Sequence, residues 1–217
     1  MILLAAALIV LDPGHSVSAP GATGVDGKVE NVRNENMVDR VARALDELHI
    51  ASKRTRTDSE EPSLHERAKK ATNATLLVSI HHDAVNADDW EPWMDAHPFH
   101  PKSWVGHGFS IHVRGDSPES VAAAIKISDA LIKTGFEPSQ YHLNYFPVVD
   151  AKRGIYDRRH LGLLNSSKVP TVLVECGFLT HPTEVTALSD PETQKRLARA
   201  IAEGIAAAVV RPEVSAK

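Results

Sequence analysis

The chain has 217 residues, 42% of them hydrophobic, with a net charge of −4. That is enough for one substantial globular domain, and too apolar for a disordered chain. The acidic balance gives no footprint for nucleic acid, and a single cysteine, Cys176, excludes both an intrachain disulfide and a cysteine-based zinc motif.

Residues 2–11 form a continuous apolar run, too short to span a bilayer as a helix. It has no basic leading segment and no small-residue cleavage site before Asp12. Residues 7–11 are expected to form a buried first strand that ends in the turn Asp12-Pro13-Gly14-His15. Residues 1–6 read equally as the start of that strand or as the remnant of an export signal.

Met37, Val38, Val41, Ala42, Leu45 and Leu48 recur at helical spacing and predict a helix over 35–48. A weak strand signal follows at 51–55. Residues 76–80 predict a second buried strand, running into Ser79-Ile80-His81-His82-Asp83.

Residues 84–108 break the pattern. They hold all three tryptophans, Trp90, Trp93 and Trp104, together with three prolines and three histidines. A long loop or small insertion is expected there, and loops of this length in compact domains are usually functional. It would serve as a lid or wall beside a site, or as a local aromatic cluster that holds the loop.

A strand is expected over 109–113. Ser117-Pro118-Glu119 predicts a capped helix start and Gly135 its end. The strand at 171–175 leads into Glu175-Cys176-Gly177-Phe178. Ser189 and Glu192 stand at capping-box spacing before a last helix, with Leu197, Ile201, Ile205 and Val209 on its buried face.

Strands alternating with helices predict an α/β fold: a single domain over 1–217, with a largely parallel or mixed twisted sheet and helices on both faces. Ligands in such sheets bind beyond the carboxyl ends of the strands. His15, His81 and Glu175 would converge on that rim. Imidazoles and carboxylates gathered there, with Glu30 among them, point to a catalytic metal site with a spare carboxylate to act as base.

Each residue also has a plain structural explanation. His15 could be satisfied by a backbone carbonyl. His81 and His82 are adjacent and point opposite ways on an extended strand, so one of them would face the core. Glu30 is favoured near a helix start without any metal, and Glu35 competes for its role. Glu175 is the hardest to explain structurally, because a carboxylate ending the run Val172-Leu173-Val174 is costly unless paired, metal-bound or catalytic. Cys176 reads first as a small buried apolar residue, with a thiol nucleophile as the minor alternative.

Taken in order, these pieces resemble one family. They run from Leu11-Asp12-Pro13-Gly14-His15 through Pro20-Gly21-Ala22 and Gly27-Lys28-Val29-Glu30, then Leu64 and Arg67, to Ser79-Ile80-His81-His82-Asp83. They close with Pro170 to Leu179 and the trailing Glu184 and Leu188. The chain resembles the zinc-dependent N-acetylmuramoyl-L-alanine amidases, the amidase_3 family of bacterial cell-wall hydrolases.

The resemblance implies that His15, Glu30 and His81 bind Zn2+, that Glu175 is the catalytic glutamate, and that Glu30 rather than Glu35 is the ligand. Asn34, one helical turn later, also agrees with the family pattern. It further implies hydrolysis of the amide between N-acetylmuramic acid and L-alanine, in peptidoglycan or muropeptides, at a periplasmic or extracellular location. The expected protein is a monomer without a membrane span.

The chain departs from the family at Ser16-Val17, where many members carry two glycines, and at Asp83, where many carry asparagine. A zinc peptidase or other metal-dependent amidohydrolase is the alternative reading from the same chemistry. A non-catalytic peptidoglycan-binding module is the alternative outside it.

Overall fold

The computed structural model describes residues 7–85 and 106–209. Seven strands form one mixed sheet: β1 (Leu8–Pro13), β2 (Ala51–Arg54), β3 (Leu76–Asp83), β4 (Ser110–Val113), β5 (Val148–Asp150), β6 (Ile155–Asp157) and β7 (Thr171–Phe178). Their order is β2-β1-β3-β7-β4-β6-β5. The β2-β1-β3-β7 half is parallel, as is β4 beside β6. β4 runs antiparallel to β7, and β5 antiparallel to β6.

Among the described residues six α-helices surround the sheet: α1 (Glu30–Glu47), α2 (Leu64–Lys70), α3 (Pro118–Lys133), α4 (Gly162–Ser166), α5 (Pro182–Ser189) and α6 (Pro191–Val209). The main core fills one face. Ile9, Leu11, Val78, Ile80, Val172 and Val174 from the central strands pack against the apolar stripes of α1, α3 and α6. The other face carries a smaller cluster of Val10, Ala68, Ala71, Leu77 and Leu163, under α2 and α4.

Several boundaries differ from the sequence expectation. α1 begins at Glu30, five residues before the apolar stripe predicts, because its first turn faces polar partners rather than the core. β3 and β7 continue past Ile80 and Glu175, so His81 and Glu175 lie within strands and not beyond them. Asp190, not Ser189, caps α6: its carboxylate accepts from the Thr193 amide at 2.8 Å. Ser189 closes α5 instead, donating its hydroxyl to the Val185 carbonyl. Strands β5 and β6, only three residues each, were not expected. Residues 1–6 and the three tryptophans lie outside the described residues.

Candidate metal centre

The site begins with a tight turn after β1. Gly14 donates to the Ile80 carbonyl, and His15 adopts a left-handed backbone with φ 63°. The buried Arg67 guanidinium holds this shape by donating to the Pro13 and His15 carbonyls at 3.0 and 2.7 Å. Gly14 is required by its neighbour, since a Cβ there would lie 2.3 Å from the His81 ring. Gly21 makes a second close approach: its added Cβ would stand 2.4 Å from Glu30 Oε2.

These contacts bring three side chains together. Glu30 Oε2 lies 3.0 Å from His15 Nε2, and Glu30 Oε1 lies 3.1 Å from His81 Nδ1. One donor atom from each of the three residues falls within 4.8 Å of the others. Glu30 is fixed by further donors: the Ala22 amide to Oε2, and the Asn34 side-chain amide and His82 backbone amide to Oε1. Burial alone would raise the pKa of Glu30, but hydrogen bonds and charge from His15 and His81 outweigh it and hold the carboxyl well below its ordinary range.

The structure separates the candidates that the sequence leaves open. His82 points away from the group into the core, where Nδ1 donates to Asn34 Oδ1 at 2.8 Å. Burial pushes its pKa down to about 3, so it stays neutral. Glu35 is engaged elsewhere, accepting from Arg56 at 2.7 Å. Cys176 belongs to the main core on the opposite face, and burial raises its thiol pKa. It has no nucleophile's environment.

Glu175 stands beside this group. It pairs in register with His81 across the β3–β7 ladder and with Ser110 across the β7–β4 ladder, so all three project to one face. Its Oε2 is buried with no hydrogen-bond partner among the described residues. Burial, reinforced by the negative charges of Asp83 and Glu30, raises its pKa well above the usual carboxyl value, with Arg158 acting in the opposite direction. His15 and His81 border a cleft of about 450 Å³, whose walls include Leu64, Leu161, Leu163 and Leu173.

A second histidine-carboxylate group, unnoticed in the sequence, lies on the other side of Glu175 along the sheet. It consists of Asp83, His112 and His142. His142 Nε2 and Asp83 Oδ2 are 2.6 Å apart, and His112 packs its ring edge-on against His142. A signal did exist: Ser110 and His112 alternate with Ile111 and Val113 in a short strand, and that strand is buried on both faces, so its polar face needs partners inside the protein.

Arranged this way, fold and site define an α/β protein with a metal-capable His/Glu/His group at the sheet's carboxyl rim. Residues 9–207 match the N-acetylmuramoyl-L-alanine amidase family, Amidase_3, and the chain belongs to it. The fold is similar to that of the amidase Ami1 from Mycobacterium smegmatis, with a TM-score of 0.75 and 26% identity over 94% of this chain and 97% of that one. It is likewise similar to the amidase AmiC2 of Nostoc punctiforme, with a TM-score of 0.70 and 26% identity over 92% and 94%. The probable cell wall amidase LytH of Staphylococcus aureus is 25% identical over 205 residues, covering 91% of this chain and 56% of that protein. The chain thus spans little more than half the length of these curated relatives.

Proposed function

We propose that this protein is a zinc-dependent hydrolase of the amide between N-acetylmuramic acid and L-alanine, in peptidoglycan or muropeptides. Family membership and the arrangement around Glu30 support this reading. The observation that carries it is the buried Glu175 carboxyl, whose Oε2 has no partner among the described residues, beside a His15–Glu30–His81 group that opens onto a cleft.

The donor set fits zinc. Two imidazoles and one carboxylate are its habitual ligands in hydrolytic sites, which leave a further position open. His15, His81 and Glu30 would hold the ion, with both imidazoles neutral. When bound, zinc polarises the amide carbonyl and acidifies water. Asn34 and the Ala22 and His82 amides keep Glu30 aimed at the two histidines. Glu175 accepts the proton of the attacking water and returns it to the L-alanine nitrogen as the carbon–nitrogen bond breaks. Water is consumed, its second proton passes from the new lactyl carboxyl group to the amine, a lactyl carboxylate and an ammonium group result, and Glu175 ends as it began.

Such a substrate lies outside the cytoplasmic membrane, so the protein would work in the periplasm or extracellularly. No helix among the described residues is long and apolar enough to cross a membrane.

The test is mass spectrometry of purified peptidoglycan and muropeptides after incubation with the protein, with and without a zinc chelator. Chelator-sensitive release of stem peptides with a free L-alanine amino group is expected. Stem peptides that stay attached, with folded and zinc-loaded protein, would rule the reading out.

A further inference from the structure

Beyond Glu175 the cleft face of the sheet continues to Arg158. Tyr156 shares this face with His112, its register partner, and Arg158 follows two residues later, just past β6. Its backbone amide donates to the Val113 carbonyl at 2.8 Å. Its guanidinium lies 3.7 Å from the centre of the Phe146 ring. Phe146 rests in turn on His142 and His112, with ring centroids 5.2 and 6.1 Å away. The Asp83–His142 bond therefore props the aromatic platform on which the arginine lies.

The neighbouring arginines are neutralised. Arg159 pairs with Asp157, and Arg114 with Asp116. Arg158 forms no hydrogen bond or ion pair through its guanidinium with any described residue. It is half-buried, and burial lowers its pKa against the opposing pull of Glu175 and Asp83. A guanidinium flattened on a ring keeps its edge free for a planar anion, which it can hold with two parallel hydrogen bonds.

A recess of about 360 Å³ surrounds it, lined by Phe146, Pro147, Asp157, Arg158, Arg159 and His160, with the Asp157 carboxylate taken up by Arg159. Leu161 borders both this recess and the cleft of His15 and His81, so the two adjoin. The cleft is also lined by Glu61, whose carboxylate accepts from the Ser18 amide and hydroxyl. In the proposed reaction Glu175 returns its proton to the leaving amine, so the departing peptide lies on the Glu175 side, within reach of the positive charge of Arg158.

We propose that Arg158, stacked on Phe146, binds a carboxylate of the stem peptide and makes the site selective for acidic stems. This rests on the amidase reading and adds a subsite to it. The ligand is a peptide carboxylate, on either the second or the third residue.

The test uses N-acetylmuramoyl tripeptides built on L-alanine, D-glutamate and L-lysine, with the free carboxylates of the second and third residues amidated one at a time. Wild-type protein should show a KM about 10- to 100-fold lower for the peptide that keeps the recognised carboxylate. Arg158→Met preserves the aliphatic packing on Phe146. It should abolish that preference by raising KM for the acid, with kcat nearly unchanged and the melting temperature retained. Arg158→Lys, which keeps charge but loses the fork, should recover part of it.

Equal KM for acid and amide in the wild type would overturn the proposal. So would an Arg158→Met variant that loses kcat equally on both, since Arg158 would then act through Glu175. If the wild type hydrolyses none of them, the amidase reading fails separately. Calorimetric binding of the free-acid tripeptide Ala-Glu-Lys then decides for Arg158: a Kd weakened 10- to 100-fold by Arg158→Met supports it, and an unchanged Kd overturns it.

Discussion

Two groups of two histidines and one carboxylate flank Glu175, and they differ in what their carboxylate does. In the first, Glu30 is held by three amide donors and by His15 and His81 at once, and His15 is 33% exposed at the cleft. In the second, Asp83 is taken up by His142 at 2.6 Å, and His112 is 1% exposed inside a cage of Phe146, Tyr156 and His142 rings. The donor chemistry is the same. We read the first as a metal centre and the second as a brace, because only the first combines an open side with a carboxylate placed midway between its imidazoles.

The largest effects should test the first group. His81→Ala removes a donor, and metal and hydrolysis should disappear together, read by elemental analysis and turnover. His82→Ala should keep the metal, since that ring faces Asn34. Equal metal loss in both would erase the distinction between the adjacent histidines. Glu175→Gln should retain zinc and lose about 10²- to 10⁴-fold in kcat, as expected for a general base. Loss of zinc in that variant would make Glu175 a ligand.

Next come the supports of Glu30. Asn34 is fully buried and bridges Glu30, the Gly14 carbonyl and His82. Asn34→Leu fills the space without the hydrogen bonds. Metal affinity should weaken about 10- to 100-fold. An unchanged affinity in a chelator competition would mean that the backbone amides alone suffice.

Metal-free protein should also be acid-sensitive. Burial holds His82 down to about 3 and His112 well below its ordinary value. The unfolded chain takes up protons on these rings near pH 6.5, where the folded one does not. The contribution of these two rings is therefore full above about pH 6.5 and is lost as pH falls towards 3, by on the order of a few kcal/mol. His82→Gln should flatten part of this slope in denaturant titrations at several pH values.

The sequence made the first group legible because its residues sit on strong punctuation: a Pro-Gly turn, a glycine-rich approach to a helix, and a polar residue closing an apolar strand. Short apolar runs bounded by turn residues likewise gave the central strands, period-3.6 stripes gave α1 and α6, and a Ser-Pro cap with Gly135 bracketed α3. The first turn of α1 was hidden because Glu30, Asn31 and Asn34 are buried among polar partners, where hydrophobic periodicity has nothing to register. β5 and β6 are too short to alternate visibly. The second group was hidden for another reason. Asp83, His112 and His142 come from three elements far apart in the chain, and only the antiparallel turn of β4 against β7 puts them side by side.

The smallest effect tests the brace itself. His142→Phe preserves a ring to pack on Phe146 and Tyr156 but leaves Asp83 without its partner. The lost bond to a charged, largely buried carboxylate should lower stability by about 1–3 kcal/mol, read by denaturant unfolding. Bound zinc should be the same in wild type and variant, because no donor of the first group is touched. A variant that binds one zinc fewer than wild type at saturation would show that the second group holds an ion too. The line drawn between an open group and a closed one would then be wrong. If stability falls and zinc does not, Asp83 and His142 are a prop. Their pairing belongs to the architecture that sets Phe146 and Arg158 in place.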